Sequence, residues 1–179
     1  MSPHLIIARG KKPNLDSTVF VADGAKIIGD VQIQKGSSIW YNTTLRGDVM
    51  PITIGENTNI QDGSTLHGTF GQRACSVGNE VTIGHNVILH GCRIGDLTLI
   101  GMGSIIMDGV IIPDHCIVGA GSLVTEGKIF KPYSLIVGRP AVFKRELNEQ
   151  EIVFLKKSAD NYKLYTTWYD QTGKSNAPI

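Results

Sequence analysis

Aliphatic residues recur every six positions along most of the chain. Val21, Ile27, Ile33, Ile39 and Leu45 stand six apart, and Ile54, Ile60 and Leu66 resume the series. Val77, Ile83 and Leu89 follow after a gap, and Ile94, Ile100, Ile106, Ile112, Val118 and Val124 complete it. A register of this kind held over ~100 residues is an internal repeat, and it limits the fold more than composition does. With each of these residues as position 1, position 2 is often Gly: Gly55, Gly78, Gly84, Gly95, Gly101 and Gly119 fit, and Gly29 lies one off register. Position 5 is small or β-branched, as at Ser37, Thr43, Thr58, Ser64, Val81, Thr98, Ser104, Cys116 and Ser122. Each hexamer supplies a short strand and a corner. Three hexamers close a triangular coil of about 18 residues, and coils stacked at ~4.8 Å bury a continuous aliphatic core. Position 1 points inward, and Gly at position 2 suits a tight corner. The spacing predicts an all-β solenoid, a parallel β-helix, without showing its hand. Composition agrees, with 22 Ile, 13 Val and 21 Gly among 179 residues and only 7% aromatic content.

Three irregularities interrupt the register. Leu45 to Ile54 carries three extra residues around Asp48–Pro51, and Leu66 to Val77 carries about five around Phe70–Cys75. Leu89 to Ile94 is one residue short. Insertions in a solenoid are expected to leave it as loops. The repeat fades after Lys128, and residues 129–147 read as irregular, with Pro132 and Gly138-Arg139-Pro140 as breakers. Residues 148–170 read as a helix packed along the solenoid, opened by an Asn148/Glu151 capping box and carrying an apolar face of Leu155, Ala159, Tyr162, Tyr165 and Tyr169. The domain reading is a β-helix with its lead-in over 1–147, the helix over 148–170 and a frayed tail over 171–179. Charge is balanced, with 17 basic and 16 acidic residues and no basic run, so no nucleic-acid footprint is expected. No apolar window approaches a membrane span. The opening MSPHLIIARGKKPN has no basic start followed by a hydrophobic core, so no secretory signal is expected; with three cysteines at irregular spacing (Cys75, Cys92, Cys116), the expectation is a cytoplasmic protein without a disulfide framework.

The register also sorts the five histidines. His67 and His90 both occupy position 2, one full coil apart, so they should stack at ~4.8 Å. Arg46 falls in the same column one coil earlier, and all three replace the usual small corner residue. His85 lies at position 3 of the preceding face, with Asp62 one coil before it and Gln61 alongside. Two stacked histidines can share a metal ion at ~2.0–2.1 Å from each nitrogen. Five extended residues span at most ~16 Å, so His85 would reach that ion more readily from a neighbouring subunit. A threefold trimer would then build three identical sites of three nitrogens with an open position. His4 and His115 read as structural.

These stretches resemble the γ-class carbonic anhydrase family and its bacterial relatives. The resemblance covers about residues 10–170 and rests on LRGD at 45–48, IGENTNIQDGSTLH at 54–67 and VTIGHNVILHGCRIG at 81–95. It implies a left-handed β-helix with a C-terminal α-helix, a homotrimer, and a catalytic zinc (or iron or cobalt) ion between subunits. By position, His67 and His90 would bind the metal from one subunit and His85 from the next. Arg46 resembles an arginine of an inter-subunit ion pair, with Asp62 as its partner and Asp48 in the same network. A purely structural ion-pair network is the alternative reading of those three residues. Gln61 matches a glutamine that positions the bound water or bicarbonate, and Tyr162 a tyrosine of the C-terminal helix near the metal. The implied reaction is CO2 hydration by water that the cation has activated, followed by proton export. The chain departs from the archetypal enzyme in carrying Val49 where a glutamate follows the aspartate, and in having no carboxylate from His67 to Asn79. These departures bear on turnover rather than on metal binding. Two other functions compete. One is a hexapeptide-repeat acyltransferase, whose tail GRPA at 138–141 resembles. The other is a trimeric metal-binding protein without turnover.

Overall fold

The computed structural model describes residues 4–169. The expected tail over 171–179 lies outside the described residues. The chain folds as a left-handed parallel β-helix closed by one C-terminal helix. Three columns of inward side chains form its core. One runs Val21, Ile39, Ile60, Ile83, Ile100, Val118 and Ile136. The second runs Ile27, Leu45, Leu66, Leu89, Ile106 and Val124. The third runs Leu15, Ile33, Ile54, Val77, Ile94 and Ile112. Almost all of these side chains are fully buried. The six-residue register of the sequence is therefore the strand register of the fold.

Position 5 has a more specific role than small size. Its hydroxyls donate to carbonyls of the following coil: Ser37 Oγ to Gly55 O at 2.6 Å, Thr58 Oγ1 to Gly78 O at 2.7 Å and Ser64 Oγ to Gly84 O at 2.9 Å. A buried corner carbonyl thus keeps a partner that the strand ladder cannot supply. The glycine expectation needs correction. Left-handed backbone falls at position 4, on glycines such as Gly63 (φ +69°) and on Asn42, Asn57 and Asn86 (φ +53° to +56°); asparagine tolerates this region better than most residues. The position-2 glycines are required for close approach instead. A Cβ on Gly84 would lie 2.7 Å from the Met102 amide nitrogen, and one on Gly55 2.5 Å from the Gly78 carbonyl carbon.

Two further expectations change. The Asp48–Pro51 insertion does not leave as a loop. It stays within the continuous strand Thr44–Ile54 as a bulge against Lys26–Ile33, with the register shifting between Gly29 and Val31. A Cβ on Gly29 would sit 2.5 Å from Gly47 O, so the missing side chain permits the bulge. Residues 129–147 are not irregular throughout. Ser134–Gly138 adds one more parallel strand, placing Ile136 over Val118, and Ala141–Glu146 folds back antiparallel on it. The Gly138-Arg139-Pro140 breaker is the hairpin turn between them. The Phe70–Cys75 insertion does form a loop, a small hairpin bridged between Thr69 and Arg73.

The C-terminal helix spans Glu149–Thr166 and opens on the expected capping box. It lays Leu155, Ser158 and Ala159 on the face that carries Ile39 and Ile83, where Ser158 Oγ meets Thr82 Oγ1 at 3.0 Å. Arg145 grips Glu151 with both nitrogens, at 2.7 and 2.8 Å. These bonds, then the Asn148 amide, hold the Glu151 carboxyl down at about 2. The folded value lies below the ordinary 4.5, so this stabilisation is complete above that value and is lost as pH falls toward 2. Melting temperatures of wild type and Glu151→Gln should therefore differ most above about pH 5 and converge in acid. A gap that stays constant over that range would refute this role. Among the described residues no helix is long and apolar enough to cross a membrane.

Candidate metal centre

Register brings Arg46, His67 and His90 into one column, as the sequence predicts. Every described neighbour in that column carries a side chain, beginning with Ile28. Position-2 glycine belongs to the other two faces. His67 Nδ1 lies 3.3 Å from His90 Nε2. The far nitrogen of each ring meets a carboxylate: His67 Nε2 lies 3.0 Å from Asp48 Oδ1, and His90 Nδ1 lies 2.8 Å from Asp108 Oδ1. Arg46 Nη1 donates to the other Asp48 oxygen at 2.8 Å. Thr69 Oγ1 donates to the other Asp108 oxygen at 2.6 Å. The result is a continuous chain, Arg46–Asp48–His67–His90–Asp108–Thr69.

Its electrostatics follow from those contacts. Burial pushes the Asp48 carboxyl up, but hydrogen bonds from Arg46 and His67 together outweigh it and hold it below the usual carboxylate range. Asp108 behaves alike: burial raises it, and bonds from Thr69 and His90 bring it below its ordinary value. With both rings neutral and each giving its N–H to its carboxylate, the two nitrogens that face each other would carry lone pairs. Facing nitrogens at 3.3 Å can be bridged by a shared proton or by a cation. A tetrahedral ion at 2.0–2.1 Å from each nitrogen would hold them about 3.4 Å apart. The pair fits a metal that prefers imidazole, with carboxylates behind the ligands in the usual supporting arrangement. Among the described residues, no three His, Cys, Asp or Glu side chains converge to hold an ion within one chain.

His85 is elsewhere on the same chain. Its Nδ1 lies 2.7 Å from Asp62 Oδ2, one coil below as register predicts. Asp62 therefore bonds His85 within the chain, and Arg46 bonds Asp48; the expected Arg46–Asp62 pair is not formed inside one chain. His85 and Asp62 open into a pocket of about 200 Å³ walled by Trp40, Tyr41, Tyr162, Tyr165, Trp168 and Tyr169. Tyr162 stands edge-on to Trp40 at 5.3 Å. Burial, then the Asp62 charge, pushes its hydroxyl up to about 12. Gln61 is buried, and its Nε2 donates to Asn59 Oδ1 at 3.0 Å. His115 stacks on Tyr133 at 4.8 Å, in keeping with a structural role. Sequence reasoning missed Asp108 and Thr69. A register count carries the signal for Asp108, because Ile106 pairs with Leu89 and so sets Asp108 over Gly91.

Residues 91–126 match the family model for the bacterial transferase hexapeptide (six repeats). The chain is 47% identical over 154 residues to a Geobacillus kaustophilus protein named carbonic anhydrase, covering 86% of this chain and 84% of that one. It is 45% identical to Gamma carbonic anhydrase 1, mitochondrial, of Arabidopsis thaliana, over 85% of this chain. It spans only 57% of that plant protein, a little over half its length. A solved structure titled as a hexapeptide transferase family protein from Anaplasma phagocytophilum superposes with a TM-score of 0.90 at 47% identity, covering 93% of this chain and 98% of that one.

Proposed function

The chain belongs to the γ-class carbonic anhydrase family of hexapeptide-repeat proteins, and from that premise we propose that it is a metal-dependent carbonic anhydrase. It interconverts CO2 and bicarbonate at sites shared between the subunits of a homotrimer. The observation that supports this best is the pair of facing nitrogens, His67 Nδ1 and His90 Nε2, each ring backed by an aspartate. His85, backed by Asp62 in the same way, completes the donor set from a neighbouring copy. Imidazole donors suit Zn2+, with Fe2+ or Co2+ as alternatives. When bound, such an ion lowers the pKa of water to about 7 and polarises oxygen.

The chain's own residues set the stage for that chemistry. Asp48 and Asp108 orient the two rings, and Arg46 keeps Asp48 ionised. The aromatic wall beside His85 borders an open pocket of about 200 Å³ with room for a small substrate. The Tyr162 hydroxyl, pushed up to about 12, stays protonated and is available as a donor. Gln61 has its amide nitrogen engaged by Asn59, which leaves its amide oxygen for positioning water or bicarbonate.

The test is anaerobic purification, metal analysis and stopped-flow CO2 hydration with and without added Zn2+ or Fe2+. Stoichiometric metal without hydration in any redox state would favour the non-catalytic reading. The transferase names of the family model and of the solved relative support an acyltransferase as the second reading. Three histidines each paired with an aspartate exceed the single general base such a reaction needs. Acetylation of an acceptor by metal-free protein would decide for it. Val49 lines a cavity of about 210 Å³ beside Asp48 and offers no proton acceptor. Val49→Glu should raise the hydration rate in dilute buffer, by up to ~100-fold, and the gain should shrink as buffer concentration rises. An unchanged rate at every buffer concentration would mean that proton export does not limit turnover.

A further inference from the structure

The insertion after Leu66 makes a hairpin that the metal ligands do not need for their own register. Its work is at Thr69. Two main-chain bonds hold Thr69 to Arg73, at 2.9 and 3.1 Å. From there Thr69 Oγ1 donates to Asp108 Oδ2 at 2.6 Å, while Asp108 Oδ1 faces His90 Nδ1 at 2.8 Å. With both oxygens engaged on opposite sides, the carboxylate cannot swing away from the ring. Space for it exists because residue 91 has no side chain. A Cβ on Gly91 would collide with Asp108 Oδ1 and would lie 2.7 Å from Arg73 Cβ. The Arg73 guanidinium adds positive charge near the carboxylate.

We propose that Asp108, clamped by Thr69 of the 69–73 hairpin, is the positioning residue for His90. It holds His90 as the Nδ1–H tautomer and thereby presents Nε2 toward His67. A neutral imidazole has one donor and one acceptor nitrogen, and the partner of one decides the character of the other. Asp48 does the equivalent for His67, but it is supported by an arginine on its own strand. Asp108 lies on a later coil and depends on an inserted segment to fix it. The proposal rests on reading His67 and His90 as metal donors, although its first readout does not require metal.

That readout is the 15N–1H long-range spectrum of the metal-free protein, recorded at a pH where its histidines are neutral. Wild type should show His90 protonated on Nδ1. Asp108→Ala should convert His90 to a mixture of tautomers and weaken Zn2+ binding by ~10- to 100-fold. Thr69→Ala should move both readouts in the same direction, and Thr69→Ser, which keeps the hydroxyl, should restore them. If Asp108→Ala does not fold, the Thr69 pair carries the test. An unchanged His90 tautomer in Asp108→Ala, or in Thr69→Ala where only that variant folds, would overturn the proposal. Wild-type protein that takes up no metal, while the tautomer still responds to Asp108, would sink the metal reading and leave this one standing. Metal uptake by wild type with no response to either residue would do the reverse.

Discussion

His85→Ala and His90→Ala, each prepared alone, should purify without stoichiometric metal and without CO2 hydration, whereas trimers assembled from a mixture of the two should regain both. The expectation follows from where the rings lie. His67 and His90 face each other at 3.3 Å within one chain, while His85 pairs with Asp62 in a separate aromatic pocket. If the third donor comes from a neighbouring copy, a His85→Ala chain still offers the His67–His90 pair and a His90→Ala chain still offers His85. Random mixing in a closed ring would restore roughly a quarter of the wild-type sites. Tagged subunits would verify that mixed trimers formed. Verified mixed trimers with no metal would rule out a shared site, and full metal content in pure His85→Ala would remove His85 from the donor set.

The second large effect concerns the coil that carries the ligands. Leu89 is fully buried between Leu66 and Ile106 and directly precedes His90. Leu89→Ala should cost about 2–5 kcal/mol, from lost transfer energy plus the cavity left behind. Stacked coils contact only their neighbours, so the damage should concentrate on the coils that hold His67 and His90. Urea unfolding should show the lower stability. Hydrogen exchange should show the fastest new opening near residues 66–67 and 89–90, with the coils around Val118 and Val124 much less affected. Uniform opening along the solenoid would contradict a quasi-one-dimensional fold.

Much of the fold was legible because one physical constraint repeats. Each hexamer must turn one aliphatic side chain inward, so the six-residue spacing marks the three core columns directly. The same spacing aligned Arg46 with His67 and His90, and Asp62 with His85. It misjudged the corners, since glycine serves there both for close approach and for left-handed backbone, and the letter G does not say which. It also read 129–147 as irregular, because a terminal hairpin pairs its strands without the six-residue period. Asp108 escaped notice because an aspartate near a turn is ordinary in sequence and gains meaning only opposite His90 Nδ1.

The sequence by itself therefore determined the repeat, the inward columns, the stacking of His67 on His90 and the capped C-terminal helix. All of these depend on local spacing, which a linear pattern preserves. Only the tertiary structure decided which ring nitrogens face each other, which carboxylate supports each ring, and that the Asp48–Pro51 insertion stays in a strand while Phe70–Cys75 leaves as a hairpin. The ring and carboxylate pairings depend on contacts between residues 18 to 39 positions apart, from His90 with Asp108 to Thr69 with Asp108. No spacing rule records the direction in which a side chain at the end of such a contact will point.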